Sequence, residues 1–196
     1  MAPSVILFDL GGVLLPFDQA RRVRAIAERT GVDPDAVRAL FAGDLPERMD
    51  LGQADERDYA KVFTDLAGRD VSAEEARALI LSVFESPNAE LWALAARLAA
   101  RARVGGFSDN PRFVETVFPT GAGLDPMFFS AELGLAKSDL AAFYAVQARL
   151  GVPPGDVLFI DDAAGNVERA LQIGWDGVCF VSNRQLIAEL KERGLE

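Results

Sequence analysis

Three aspartates in this sequence directly follow short runs of apolar residues. Asp9 follows Val5–Phe8, and the pair Asp161 and Asp162 follows Val157–Ile160. An aspartate can act as a nucleophile, as a general acid or base, or as an oxygen ligand of a hard cation such as Mg²⁺. The chain contains no histidine, which excludes the mechanisms and metal sites that depend on histidine. Any catalysis must therefore use carboxylates, lysine, hydroxyl groups or a bound cation.

The apolar runs place these aspartates, and two other polar residues, at the ends of predicted strands. The β-branched and large apolar residues of the runs are typical of strands buried in a parallel sheet. Ser108 follows a predicted strand at 103–107, and Lys137 lies just beyond a short predicted strand at 127–129. Open parallel sheets place their sites at the carboxyl ends of the strands. We therefore expect these two residues and the three aspartates to converge at one edge.

The alternation of strands and helices that begins at Asn88 predicts the core of the fold. Predicted strands at 103–107, 127–129, 157–160 and 177–181 alternate with predicted helices at 88–101, after Pro111, at 138–150, at 165–173 and from Arg184 onward. Strands separated by helices form parallel sheets, because each helix returns the chain to the same end of the sheet. The sequence therefore predicts the α/β class, with a Rossmann-like, doubly wound parallel sheet.

A helical segment separates the first predicted strand from the others. Between residues 18 and 85, apolar residues recur at spacings of three and four, which predicts helices at 21–28, 36–41, 57–66 and 73–84. No strand pattern interrupts this segment. We therefore predict an all-helical cap at 17–85, inserted after the first strand, and a catalytic core formed by residues 1–16 and 86–196.

Four segments occur in an order that is typical of one enzyme family. They are Phe8-Asp9-Leu10-Gly11-Gly12-Val13, Phe107-Ser108-Asp109-Asn110, Ser130-Ala131-Glu132-Leu133-Gly134-Leu135-Ala136-Lys137, and Ile160-Asp161-Asp162 followed by Asn166, Ala170 and Gly174. On these segments the chain resembles the haloacid dehalogenase superfamily, in its phosphatase branch with a helical cap. Each segment alone is common, but all four lie at predicted strand ends, and the resemblance covers essentially the whole chain.

The resemblance implies a magnesium site around the end of the first strand. The family holds Mg²⁺ with residues that correspond here to Asp9, the backbone carbonyl of Gly11, Asp161 and Asp162; the sequence does not rank the last two as direct ligands. The three aspartates and Lys137 together carry a net charge of −2, so the empty cluster repels a phosphate dianion. A divalent cation removes this repulsion, and Mg²⁺ prefers hard oxygen ligands.

The resemblance also implies covalent catalysis, but with one group missing. Asp9 would attack phosphorus and form an aspartyl phosphate, and Lys137 would offset charge on the nucleophile and the transferring group. Phosphatases of this family usually carry a general acid and base two residues after the nucleophile, where this chain has Gly11. Asp18, at the predicted hinge into the cap, is a candidate substitute. As an alternative, Asp18 only caps the helix that follows it.

The second segment is expected to bind the phosphate group. The resemblance implies that Ser108 and nearby backbone amides hold the non-bridging oxygens, together with Lys137, while Asp109 and Asn110 are further substrate-binding candidates. Asp109 stands where the family frequently has asparagine, which adds a negative charge beside the phosphate. As an alternative, Ser108 and Asn110 only cap a helix that opens at Pro111.

The composition of the chain bears on its partners and location. Its 196 residues include 20 Lys and Arg against 30 Asp and Glu, a net charge of −10, which disfavours nucleic acids and anionic membranes. No apolar run reaches the roughly 18 residues of a membrane span, and no signal-peptide pattern is found. The single cysteine, Cys179, fits a reducing compartment. We expect a cytoplasmic monomer or homodimer whose partner is a small phosphorylated metabolite.

Three functions are compatible with these residues. The leading one is magnesium-dependent hydrolysis of a small organic phosphate monoester, for which a sugar phosphate is one candidate. The alternatives are metal-independent hydrolysis of the haloacid dehalogenase type and phosphate binding without turnover. Phe17, Arg21, Arg48 and Tyr59 are candidate contacts from the cap to the substrate, although each could also pack within the insertion or face solvent.

Overall fold

The computed structural model describes residues 2–84 and 86–196 and has a five-stranded parallel sheet at its centre. The strands are β1 (Val5–Phe8), β2 (Arg103–Ser108), β3 (Met127–Phe129), β4 (Val157–Asp161) and β5 (Asp176–Cys179). Their order across the sheet is β3-β2-β1-β4-β5, and every neighbouring pair is parallel. Because the order changes direction at β1, the sheet is doubly wound. The predicted α/β fold class is confirmed.

Helices cover both faces of this sheet. They are α6 (Ala89–Leu98), α7 (Ser130–Leu133), α8 (Leu140–Leu150), α9 (Ala164–Gln172) and α10 (Asn183–Glu192). Alternate residues of β1 face opposite sides: Ile6 and Phe8 join the hydrophobic cluster of α6 and α10, whereas Val5 and Leu7 join that of α8 and α9. All four residues are fully buried, which explains why the β1 sequence is continuously apolar.

Five helices lie between β1 and α6 and have a hydrophobic cluster of their own. They are α1 (Gln19–Thr30), α2 (Pro34–Phe41), α3 (Leu45–Asp50), α4 (Glu56–Ala67) and α5 (Ala73–Leu81), and we call residues 19–81 the helical insertion. Ile26, Val37, Phe63 and Leu79 come from four of these helices and are fully buried in the cluster. The predicted domain limits at residues 1 and 85 lie outside the described residues, so the division at 17–85 stays a prediction.

Several elements differ from the sequence prediction, among them α7, which was not predicted. The helix α3 was not predicted, because six residues are too few to show a helical period. The helix predicted after Pro111 is a 3₁₀ helix at Arg112–Val117. The last strand ends at Cys179 rather than Val181, because its partner β4 ends at Asp161, which pairs with Cys179. Among the described residues, no helix is long and apolar enough to cross a membrane.

The helical insertion touches the sheet domain where α3 meets α7. Gly52 follows α3 with a φ of 69°, and a Cβ at this position would lie 2.2 Å from the carbonyl oxygen of Ala131 in α7. Glycine permits both the left-handed backbone and this close approach. The contact fixes the C-terminal end of α3, which is Asp50, beside the edge of the sheet that carries the predicted site.

Candidate active site

The carboxyl ends of the strands bring predicted site residues to one edge of the sheet. Asp9 follows β1, Ser108 ends β2 and Asp161 ends β4, and the parallel register places these strand ends side by side. A cavity of about 350 Å³ lies between this edge and the helical insertion. Asp9, Ser108 and Lys137 line it from the sheet, and Tyr59 lines it from α4. The site therefore faces a cavity that the insertion helps to form.

A buried lysine joins two of the aspartates. Lys137 is 2% exposed, and its Nζ lies 2.9 Å from Asp9 Oδ1 and 2.6 Å from Asp161 Oδ2. Its backbone N–H donates to both carboxylate oxygens of Asp109, at 2.9 and 3.1 Å. Asp109 therefore holds the lysine backbone, while Asp9 and Asp161 hold the ammonium group.

The electrostatics of the site follow from burial and from this lysine. Burial raises the pKa of Asp9 to about 7, against the lowering effect of Lys137. Burial acts to lower the pKa of Lys137, but the attraction of Asp9, Asp161 and Asp109 outweighs it and raises that pKa above its ordinary value. Lys137 is therefore a fixed positive charge, whereas Asp9 needs further positive charge nearby to stay fully ionised at neutral pH.

Asp161 and Asp162 lie in different environments. Asp161 is fully buried, and its carboxylate accepts hydrogen bonds from Lys137 Nζ and from the backbone of Ala163, the latter at 2.8 Å. Asn166 Nδ2 also donates to both Asp161 oxygens at 3.1 Å. Asp162 is exposed. The carboxylate of Asp161 is thus held in a hydrogen-bond network, whereas Asp162 is more exposed and lines the cavity.

Three carboxylates could hold a metal ion. One oxygen from each of Asp9, Asp161 and Asp162 lies within 4.8 Å of the other two. Opposite oxygen ligands of Mg²⁺ are about 4.2 Å apart, so small adjustments would fit these oxygens to the ion. Gly12 has a φ of 77°, and a Cβ there would lie 2.2 Å from Asp162 Oδ2, so glycine lets this carboxylate approach the turn after β1. Gly11, in the same turn, lines the cavity.

Ser108 and Asn110 bond to each other instead of capping the following helix. Asn110 Nδ2 donates to Ser108 Oγ at 3.0 Å, and the 3₁₀ helix after Pro111 has no side-chain cap. Both residues line the cavity with Asp109, whose pKa is raised by burial. The capping alternative is therefore not observed, and a phosphate-binding role for these residues stays a prediction.

The structure does not bring Asp18 together with the other predicted site residues. Asp18 Oδ1 accepts a hydrogen bond from the backbone of Ala20 at 2.8 Å and so caps α1, and Oδ2 lies 3.7 Å from Arg24 Nη2. Among the described residues, those lining the cavity do not include Asp18. The capping alternative is observed, and the role of Asp18 as an acid stays a prediction.

The four residues that were predicted to contact the substrate from the cap divide into two groups. Phe17 and Tyr59 line the cavity. Arg21 instead donates to the carbonyl oxygen of Phe84 at 2.9 Å, and Arg48 lies 3.9 Å from a carboxylate one helical turn before it. The two arginines are thus engaged elsewhere within the described part of the chain.

Sequence reasoning missed Arg22, Phe41 and Asp50, which also line the cavity. Arg22 lies four residues before the buried Ile26, so helical spacing in α1 places both on the buried face. That spacing could have indicated Arg22. For Asp50 no such signal existed, because its helix was not predicted.

Comparisons with known proteins agree with this geometry. A sequence profile of the haloacid dehalogenase-like hydrolases matches residues 3–174. Flavin mononucleotide hydrolase 1 of Arabidopsis thaliana is 29% identical over 150 residues, which are 75% of this chain but only 61% of that protein. D-ribitol-5-phosphate phosphatase of Bacteroides thetaiotaomicron is 23% identical over 184 residues, which are 87% of this chain and 88% of that protein.

A solved structure supports the fold. A haloacid dehalogenase family enzyme of Bacteroides thetaiotaomicron, crystallised with magnesium and inorganic phosphate, matches with a TM-score of 0.81 at 19% identity, over 94% of this chain and 99% of that one. At this identity the likeness shows the architecture alone. Since the family profile covers most of the sequence and the architecture agrees with it, the chain belongs to the haloacid dehalogenase-like hydrolases.

Proposed function

We propose that this hydrolase is a magnesium-dependent phosphatase that cleaves a small organic phosphate monoester through an aspartyl phosphate on Asp9. The observation that carries the proposal is the group of Asp9, Lys137, Asp161 and Asp162 at the strand ends. A nucleophile, a fixed cation and carboxylates for a metal ion are what phosphoryl transfer requires. The names of the two relatives, a flavin mononucleotide hydrolase and a ribitol-5-phosphate phosphatase, support phosphate esters as the substrate class.

The donor set fits Mg²⁺, and we assign its direct protein ligands to Asp9, Asp162 and the backbone carbonyl of Gly11. The oxygens of Asp161 already accept hydrogen bonds from Lys137 and other donors, so Asp161 would contribute its charge and hold the lysine. Bound there, the cation would supply the positive charge that allows a phosphate dianion to approach these carboxylates.

The covalent step uses the two carboxylate oxygens of Asp9 differently. Oδ1 is held by Leu10 N–H at 2.7 Å and by Lys137, and we assign the bond to the cation to this oxygen as well, so Oδ2 would attack phosphorus. The P–O bond to the leaving group breaks, and the leaving oxygen takes up a proton. Water then attacks the aspartyl phosphate, which restores the carboxylate and releases inorganic phosphate. Because Asn110 donates to Ser108 Oγ, the hydroxyl hydrogen of Ser108 can point to a non-bridging oxygen.

The proton for the leaving group has no donor at Gly11. Asp18 remains our candidate acid, but its carboxylate would first have to leave the backbone N–H of Ala20. Without such a movement, the enzyme would favour substrates whose leaving groups depart readily without a proton.

The cavity sets the size of the substrate. Its volume of about 350 Å³ lies at the lower end of the range for ligand pockets, roughly 300–1,000 Å³. We therefore propose a small phosphorylated metabolite. The predicted cytoplasmic location and the monomeric or homodimeric state stay predictions.

The experiment measures phosphate release from p-nitrophenyl phosphate with millimolar MgCl₂ and with EDTA. We expect activity only with Mg²⁺, and Asp9→Asn should reduce it to background, because the amide is a poor nucleophile. Asp35→Asn, which changes an exposed aspartate of α2, is the control for the loss of one charge. Retention of more than about a tenth of the rate in Asp9→Asn, a loss of only ~1.4 kcal/mol, would remove Asp9 from this role.

The two alternative functions give different results. A dehalogenase would release chloride from 2-chloropropionate without Mg²⁺. A protein that only binds phosphate would show calorimetric binding with no product.

A further inference from the structure

Arg22 is a buried cation with an unused hydrogen-bond donor. It lies on α1, is 8% exposed and lines the cavity. Its Nη2 donates to the neutral Oε1 of Gln19, and its guanidinium lies over the ring of Phe41, 3.6 Å from the centroid. Its Nε has no hydrogen-bond partner among the residues that the structure describes. A buried donor without an acceptor is unfavourable, so Arg22, which lines the cavity, would be stabilised by a ligand acceptor that a small shift of its side chain brings within reach of Nε.

Asp50 and Tyr59 form a polar cluster with Arg22. All three line the cavity, and Tyr59 and Asp50 both act to raise the pKa of Arg22, which burial nevertheless lowers to about 10. The ion pairs found in the described part of the chain do not include Arg22. The cluster thus offers to the cavity a donor on Arg22 and an acceptor on Asp50, which the structure does not join as an ion pair.

The polar cluster lines the same cavity as the residues that we propose for phosphoryl transfer. Asp9 and Lys137 line it from the sheet, whereas Arg22 and Asp50 line it from the helical insertion. A substrate whose phosphate lies at Asp9 would therefore extend its leaving group toward Arg22.

We propose that Arg22 and Asp50 bind the hydroxyl groups of a polyol leaving group, an inference that rests on the proposed phosphatase function. A hydroxyl group accepts from a guanidinium and donates to a carboxylate, so neighbouring hydroxyls satisfy both side chains at once. A second anionic group on the substrate would pair with Arg22 but would be repelled by Asp50. A flat aromatic group would have to compete for the face of Phe41 that Arg22 already covers.

Two matched substrates test this subsite. Ribitol 5-phosphate and pentyl phosphate have the same chain length and the same primary ester, and differ in hydroxyl groups. We would measure kcat/KM for both with the wild type, Arg22→Met and Arg24→Met. Arg24 lies on the same helix with a side chain that is 63% exposed, so it controls for the loss of one charge.

The wild type should prefer ribitol 5-phosphate. In Arg22→Met, the ratio of the two kcat/KM values should fall by about 10- to 100-fold, as expected for hydrogen bonds from a charged donor, and it should be unchanged in Arg24→Met. Because both substrates are measured on one preparation, the ratio does not depend on the folded fraction. An unchanged ratio in Arg22→Met, or a wild-type preference for pentyl phosphate or for the acidic 3-phosphoglycerate, would overturn the subsite.

Failure of the proposed function would be seen separately, as absence of p-nitrophenyl phosphate turnover by the wild type with Mg²⁺. Calorimetry with the same two phosphates would then decide on the subsite. Tighter binding of ribitol 5-phosphate that is lost in Arg22→Met supports it, and equal binding of the two phosphates by the wild type overturns it.

Discussion

Gly11 makes departure of the leaving group the difficult step of the proposed reaction. The position carries no carboxyl group that could protonate an alkoxide or activate water. We therefore expect aryl phosphates, acyl phosphates and anomeric sugar phosphates to be hydrolysed much faster than simple alkyl phosphates. Rates measured across a series of leaving groups, under conditions where chemistry limits turnover, would check this.

Two substitutions locate the acid. A Cβ added at Gly11 meets no atom within 4 Å, so Gly11→Asp has room and should accelerate alkyl phosphate hydrolysis by about 10²–10⁴-fold. If Asp18 serves as the acid, Asp18→Asn should slow alkyl substrates most and leave p-nitrophenyl phosphate nearly unaffected. Equal rates for alkyl and aryl substrates, together with rates that Asp18→Asn leaves unchanged for both, would show that a different acid is present.

Asp50 should make the stability of the metal-free protein depend on pH. Burial, with repulsion from Asp109, raises the pKa of Asp50 from 3.8 to about 7. The folded state therefore binds this proton more tightly than the unfolded state, and stability falls as pH rises from about 4 to about 7. Asp50→Asn should remove this contribution, stabilising the protein by up to about 4 kcal/mol at pH 8 and by little at pH 4.

Denaturant unfolding at both pH values would check this, with Asp44→Asn as the control. Asp44 precedes the same helix, and its side chain is 83% exposed. An Asp50→Asn variant with the same pH dependence as the wild type would contradict the role given to burial.

The contact between α3 and α7 should determine how the helical insertion sits against the sheet. Gly52→Ala would place a methyl group 2.2 Å from the carbonyl of Ala131, whereas Gly68→Ala meets no atom within 4 Å; both glycines have positive φ. Each substitution should cost about 1 kcal/mol through its backbone conformation. Gly52→Ala should cost more, and should also raise KM for p-nitrophenyl phosphate. Equal losses of stability with unchanged KM would show that this contact does not position the insertion.

The sheet could be predicted because its strands show local patterns of apolar residues in the sequence. The residues of β1 are all buried on both faces, so the strand reads as an uninterrupted apolar run, and β3 was predicted at its observed bounds of Met127–Phe129. The helix α3 gave no such signal, because its six residues are held by a tertiary contact instead of a long amphipathic face.

The same distinction, between local sequence patterns and tertiary contacts, applies to the residues of the site. Asp9, Ser108 and Asp161 were predictable, because topology alone brings parallel strand ends together. The difference between the buried Asp161 and the exposed Asp162 was not predictable, since the same apolar run precedes both aspartates and the sequence does not show that β4 includes the first and ends before the second. Arg22 and Asp50 reach the cavity from helices whose placement on the sheet no local pattern encodes.

The whole molecule should be more stable with Mg²⁺ than without it. Any ion that binds only the folded state stabilises it, by about 2.7 kcal/mol at one hundred times its dissociation constant. Millimolar Mg²⁺ should therefore raise the melting temperature, and Asp162→Ala should weaken this response while relieving repulsion in the metal-free protein. Asp35→Ala, at an exposed position on α2, should respond as the wild type does. A wild-type melting curve that millimolar Mg²⁺ leaves unmoved would contradict the metal site.

The phosphorylated intermediate on Asp9 is the step on which the proposed function depends. Because Gly11 supplies no base to activate water, the intermediate should accumulate with a substrate that has a good leaving group. In this measurement the enzyme is mixed with Mg²⁺ and acetyl phosphate that is radiolabelled in its phosphate group. The reaction is then stopped rapidly with acid, and the labelled peptide is identified by peptide mapping. We expect hydroxylamine-sensitive label on the peptide containing Asp9, and none with EDTA or in Asp9→Asn. Magnesium-dependent turnover that never labels Asp9, or that persists in Asp9→Asn, would contradict the proposed mechanism.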